Sequence, residues 1–188
     1  MQGAAPMTLL PRVGRLFPRN EIDDAVATKA HFHSSPEVVW REMIFYEEVP
    51  RRPMPLLRMF LPAPVSTRGE KTRVGAIIEC TYDGGYLEKC ITAAVPARFV
   101  RFDVLVQRLG IEDCISMRGG SYEYSAAGDG TDVVLTTGYR GHLRPRWLWR
   151  LFERFLAHRL HRHILAGMQA ALKASAPARA LSALEVHE

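Results

Sequence analysis

Between residues 74 and 141, apolar and polar positions alternate with a period of two almost without interruption. VGAIIECTY (74–82), YLEKCITAAV (86–95), ARFVRFDVLVQ (97–107), CISMRGGSYEYSA (114–126) and TDVVLTTGYRG (131–141) each read as a strand, because successive strand side chains point to opposite faces. The connections are short and marked by Gly84-Gly85, Pro96 and Gly128-Asp129-Gly130, which predicts an antiparallel meander. In the third segment Val100, Phe102, Val104 and Val106 fall on one side and Arg101, Asp103, Leu105 and Gln107 on the other, so one face is buried and the other mostly wet. Gly119-Gly120 inside a strand marks a bulge or sharp bend, the device by which a sheet curls. Upstream, AVATKAHFHSS (25–35) reads as a first strand. It runs into a helix PEVVWREMIFYEEV that Ser35 caps, Pro36 and Glu37 start and Pro50 ends, burying Val38, Val39, Met43 and one of Trp40 and Ile44.

After Pro145 the period lengthens. Leu148, Phe152, Leu156, Leu160, Ile164, Met168 and Leu172 recur every four residues, and Arg146, Arg150, Arg154, His158 and Arg162 form a second row displaced by two. A four-residue repeat on an α-helix advances about 40° per step, so the apolar row spirals through about 240°. A flat membrane surface needs a straight apolar face, whereas a helix laid across a strongly curved sheet accommodates the rotation. The expectation is a packed C-terminal helix with the arginine row mostly its solvated face.

From Pro50 to Pro64 five prolines surround Leu56, Leu57, Met59, Phe60 and Leu61; this predicts an irregular wall or lid rather than a helix. Length and the absence of a compositional break predict one folded domain over 25–173, with a basic tail over 1–24 and an Ala/Pro-rich, frayed tail over 174–188. A cleaved signal is not expected from the proline-broken first twenty residues. Residues 144–162 hold six arginines and one acid, which by itself accounts for the net charge of +5. No second basic face is left to grip a phosphate backbone, so nucleic acid is not an expected partner. Cys80, Cys90 and Cys114 show no CxxC spacing; a reducing, cytoplasmic setting is the default, although Cys80 and Cys90 flank a hairpin turn and a bridge between them stays open.

Strand, short helix, meander and one long terminal helix make an α+β pattern. On HFHSSPEVVW, GGSYEYSAAGDGTDVVLTTGYRG and the terminal helix, the chain over residues 25–173 resembles the START/Bet v1-like (SRPBCC) superfamily, polyketide cyclase/dehydrase-like branch. The resemblance implies a helix-grip fold, in which a curved antiparallel sheet wraps a long C-terminal helix and encloses a cavity for lipids, polyketides or other apolar molecules. It carries over no shared catalytic signature, and the Pro-rich 50–64 segment departs from the usual pattern there, where a second short helix closes the cavity.

The candidate cavity residues are Tyr82, Phe102, Arg118, Tyr122, Tyr124, Tyr139 and Phe155, with Glu123 and Arg140 as further polar candidates on the strands. A Tyr/Arg pair in an apolar pocket can hold an enolate, carboxylate or carbonyl oxygen. Strand parity puts Arg118 on the face of Tyr122 and Tyr124 unless the Gly119-Gly120 bulge shifts it. His31 and His33 share a strand face, but no third ligand is identifiable, and His158, His161 and His163 lack zincin spacing; neither a metal nor a cofactor is expected. No catalytic motif appears. Binding or transport of an apolar small molecule is therefore the first reading. A cyclase, aromatase or dehydratase acting in the same cavity is the alternative, and transient membrane contact a further one. Oligomeric state is not legible.

Overall fold

The computed structural model describes residues 24–43 and 64–185. Seven strands form a single antiparallel sheet: β1 (Asp24–Phe32), β2 (Pro64–Arg68), β3 (Ile77–Tyr82), β4 (Gly85–Val95), β5 (Phe99–Arg108), β6 (Ile115–Ala127) and β7 (Gly130–Gly141), in the spatial order β1-β7-β6-β5-β4-β3-β2. Strands β2 to β7 run as a meander, and β1 closes onto β7, so the only non-sequential pairing joins the first and last strands. Among the described residues two helices accompany the sheet, α1 (Pro36–Met43) and α2 (Arg146–Glu185). The sheet curls into a half-barrel with α2 across it, an α+β architecture of the helix-grip type.

The local chemistry of the sequence accounts for most boundaries. Ser35 accepts the first helical hydrogen bond of α1 from the Val39 amide at 3.0 Å, as its capping position requires. Along β1 the inward residues Asp24, Val26, Thr28 and Phe32 are buried, and their cross-strand partners on β7 are Tyr139, Thr137, Leu135 and Thr131. The core forms where α1 and the middle of α2 press on β5, β6 and β7: Val39, Trp40, Val100, Phe102, Tyr122, Tyr124, Val133, Ile164, Leu165 and Met168 are all buried in one cluster. Tyr124 meets Trp40 edge to face, with ring centroids 5.4 Å apart.

The predicted bulge lies between Met117 and Gly119. Met117 pairs with Tyr139 and Gly119 with Gly138, so Arg118 is the extra residue. Below that point the inward parity changes from Gly120, Tyr122 and Tyr124 to Met117 and Ile115. Glycine is required beside it, since a Cβ on Gly120 would meet the Thr136 carbonyl oxygen and come within 2.8 Å of the Phe102 ring.

Two expectations are corrected, and one strand is added. The stretch after Lys173 is helical, α2 running on to Glu185 past Pro177 through sequence otherwise rich in alanine, the residue of highest helix propensity. An edge strand, β2, follows the proline-rich segment and pairs with β3; the segment itself, apart from Pro64, lies outside the described residues, as does the basic tail. The arginine row is not a purely solvated face, as the site geometry shows.

Candidate functional site

The spiral of α2 divides it. Leu148 at its start is exposed, Phe152 and Leu160 are half-buried, and Leu156, Ile164, Met168 and Leu172 are buried. Because α2 lies mainly over β1 and β7, its N-terminal half stands away from β3, β4 and the lower end of β6. A cavity of about 440 Å³ fills that gap. Its lining is mostly hydrocarbon: Leu87 from β4, Leu109 and Ile111 from the β5–β6 connection, Ile115 and Met117 from β6, and Phe152, Leu156, Ala157 and Leu160 from α2. The exposed Cys114 lies at its rim. The volume lies within the about 300–1,000 Å³ typical of small-molecule sites.

Five polar side chains reach this apolar space: Tyr82, Thr137, Tyr139, Glu153 and His161. Each is held differently. Both carboxylate oxygens of Glu153 accept from the Arg146 guanidinium, at 2.7 and 2.9 Å, in a bidentate pair one helical stretch apart. The pair lies over Gly141, where any Cβ would collide with both partners. A few ångströms along β1, the buried Asp24 accepts from Arg150 and Arg154, the latter at 3.0 Å, and from the Ala25 amide. Three of the arginines expected to face water are thus the clamps of two buried carboxylates.

His161 is buried between two threonines. Its Nε2 is 2.8 Å from Thr137 Oγ1 and its Nδ1 3.0 Å from Thr28 Oγ1, and Thr28 in turn meets His158 Nδ1 at 2.9 Å. Burial, with a smaller contribution from His158, pushes the His161 pKa down to about 3. The ring is neutral at pH 7, with one threonine donating to it and the other accepting from it. Tyr139 is buried too, and its hydroxyl finds no hydrogen-bond partner among the described residues. Burial and the nearby negative charges of Asp24 and Glu153 raise its pKa, so it stays a protonated donor.

Of the seven residues singled out in the sequence, the structure brings Tyr82 and Tyr139 to the cavity wall. Phe102, Tyr122 and Tyr124 do not line it; they pack in the core cluster at the other end of the same sheet face. Arg118 does not line it either, because the bulge hands its inward position to Met117. Phe155 is 44% exposed on the outer side of α2, with the Arg159 guanidinium over its ring, while Phe152, three residues earlier, faces inward. Sequence reasoning missed the aliphatic lining of residues 109–117 and the pair Thr137–His161. The four-residue row did carry a signal for Phe152, Leu156 and Leu160.

No protein-family model and no curated protein matches the chain. Solved structures do. A START superfamily protein from Mycobacterium smegmatis superposes with a TM-score of 0.56 at 11% identity, over 79% of this chain and 97% of that one. The fold is START-like. A Thermus thermophilus protein superposes over 81% of this chain and 99% of that one, with a TM-score of 0.54 and 19% identity. The Aha1 dimer from Colwellia psychrerythraea matches at a TM-score of 0.51 and 12% identity, over 79% and 96%. At such identities the START-like likeness concerns architecture, and function has to be argued from the site. Among the described residues no helix is long and apolar enough to cross a membrane.

Proposed function

We propose that the protein binds or carries a small apolar molecule that offers a hydrogen-bond acceptor to Tyr139. The supporting observation is the combination of a hydrocarbon-lined cavity with one buried hydroxyl on its wall that has no partner among the described residues. A buried donor left unpaired costs about 1–3 kcal/mol, which a ligand oxygen or an ordered water offsets. Fluorescent fatty-acid displacement tests this reading, with native mass spectrometry identifying any molecule retained from expression. Ala157→Phe, which fills the space, should abolish binding while the circular dichroism spectrum is kept; unchanged binding in that variant would overturn it.

The second reading is a cyclase, aromatase or dehydratase in the same cavity. The neutral His161 beside Thr137 is the observation that favours it, since a base in hydrogen-bond reach of a bound substrate can move a proton. Its pKa near 3 weighs against this: the ring would be protonated in only about one molecule in ten thousand at pH 7 and is too weak a base for efficient proton abstraction. Binding is the better-supported reading. Contact with an anionic lipid surface belongs to the same proposal as a route for cargo. Trp147, Leu151 and Phe155 recur every four residues on the outer side of α2 and are exposed, Trp147 by 71%. The cytoplasm is the proposed location, in keeping with three thiols that register keeps apart, Cys80 lying opposite Leu87 and Cys90 opposite Ile77.

A further inference from the structure

At the far end of β1 from the cavity, three side chains from two parts of the chain converge. His31 is the penultimate residue of β1, His33 follows the strand, and Asp129 sits in the turn between β6 and β7. Their donor atoms all lie within 4.8 Å of one another. His31 Nε2 is 3.2 Å from Asp129 Oδ1, and His33 Nδ1 is 3.2 Å from Asp129 Oδ2. Two ligands bound at about 2.0–2.1 Å to one tetrahedral zinc ion stand about 3.3 Å apart, so these separations match an edge of such a site.

The orientation of His31 strengthens the case. Its Nδ1 lies 3.0 Å from Asp132 Oδ1, and the other oxygen of Asp132 is held by the Lys29 ammonium at 2.6 Å. A carboxylate fixed in this way accepts the Nδ1 proton and leaves a lone pair on Nε2, the outer-sphere arrangement by which metal-binding histidines are aimed. That lone pair then faces the lone pairs of Asp129, and only a positive charge between them makes the contact attractive. Beside the group is a depression of about 190 Å³ lined by His31, His33, Gln169 and Lys173, which gives a bound ion room for a further ligand.

We propose that His31, His33 and Asp129 bind a divalent late transition-metal ion, zinc in the first instance, which ties the β6–β7 turn to the end of β1. Two imidazoles and one carboxylate suit Zn²⁺, Ni²⁺ or Cu²⁺ and disfavour Mg²⁺ and Ca²⁺, which require mainly oxygen ligands. The rival occupant of the same gap is a proton.

Titration calorimetry of the full chain with Zn²⁺ at pH 7.5 decides between them. The expected result is one equivalent bound with a dissociation constant in the micromolar range or below, uncompeted by millimolar Mg²⁺. His33→Ala and Asp129→Asn should weaken it at least tenfold, and Asp132→Asn by about 10–100-fold through loss of the orienting bond. X-ray absorption at the zinc edge of the unaltered protein needs no variant and should show two imidazoles bound. Absence of saturable binding, an equal affinity in the His31→Ala/His33→Ala double variant, or a zinc shell without two imidazoles would each overturn the proposal.

Discussion

The two ends of the space between sheet and helix are built from the same strands and the same α2, yet one is filled and the other hollow. At the α1 end Phe32, Trp40, Tyr122, Tyr124, Ile164 and Met168 close the gap with large side chains. At the other end the sheet offers Met117, Thr137 and Tyr139, the helix offers Ala157 and Leu156, and about 440 Å³ stays open. Among the described residues no second helix joins α2 there, as α1 does at the filled end. Ion pairs flank the hollow end instead: Arg146 with Glu153 within α2, and Arg150 and Arg154 with Asp24, which tie α2 to the start of β1. Close packing stabilises the filled end, and the open end is the cavity on which the proposed binding rests.

The sharpest way to break this comparison is to remove the same amount of hydrocarbon from each end. Met168→Ala in the filled end should cost about 2–5 kcal/mol, because it leaves a cavity in a close-packed cluster. Leu160→Ala, half-buried at the cavity wall, should cost less, about 1–2 kcal/mol, since it enlarges a space already present. Urea denaturation of both variants is the measurement. Equal losses would mean that the cavity collapses around its lining in solution.

Acid separates the ends next. His161, with a folded-state pKa of about 3 against an ordinary 6.5, belongs to the hollow end. Between these values the unfolded chain binds a proton that the folded one does not, so stability is complete above pH 6.5 and falls as pH drops toward 3. The slope from this group is about 1.4 kcal/mol per pH unit, roughly 3 kcal/mol by pH 4.5. His161→Gln should flatten that limb of the stability curve. An unchanged slope would place the acid sensitivity elsewhere.

Five strands and their meander were legible from period two and the short glycine- or proline-marked turns, but β2 and the pairing of β1 with β7 were not. Nor was the end of the core to which each residue belongs. Tyr122 and Tyr124 look like site residues because hydroxyl-bearing aromatics on an inward face suit a pocket, but α1 covers them, and that contact is a tertiary fact. Arg118 depended on one extra residue in β6, which reverses inward and outward for every position below it. The arginine row was misread for a related reason. Its main partner, Asp24, lies over a hundred residues away in sequence and was counted with the basic tail over 1–24, whereas the structure places it at the start of β1, paired with β7.

The clamp itself gives a smaller effect. Arg150→Gln with Arg154→Gln leaves the Asp24 carboxylate buried without a cation, whereas the arginines are themselves 54% and 42% exposed. The loss should fall between the values for surface and buried pairs, about 1.5–3 kcal/mol, and Arg150→Gln alone should cost less because Arg154 remains. If the double variant is as stable as the unaltered protein in thermal unfolding, the charges do not tie α2 to the start of β1.

The smallest expected effect concerns the ligand and sharpens the comparison most. Tyr124 and Tyr139 both bury a hydroxyl that has no partner among the described residues, one at each end of the same sheet face. Tyr124→Phe removes an unpaired polar atom from a closed core and should leave ligand affinity unchanged, with stability equal or slightly higher. Tyr139→Phe removes an equivalent atom from the cavity wall. If a ligand oxygen accepts from it, affinity in the displacement assay should fall by about 0.5–1.5 kcal/mol for acceptor-bearing ligands and stay constant for plain hydrocarbons of the same size. The hydrocarbon serves as the control for shape, because loss of affinity for both ligands would show that the hydroxyl shapes the wall rather than recognising an oxygen. Equal behaviour of the two tyrosine variants would instead mean that the cavity holds its cargo by apolar contact alone, and Tyr139 would then be a second core residue at the edge of an unselective pocket.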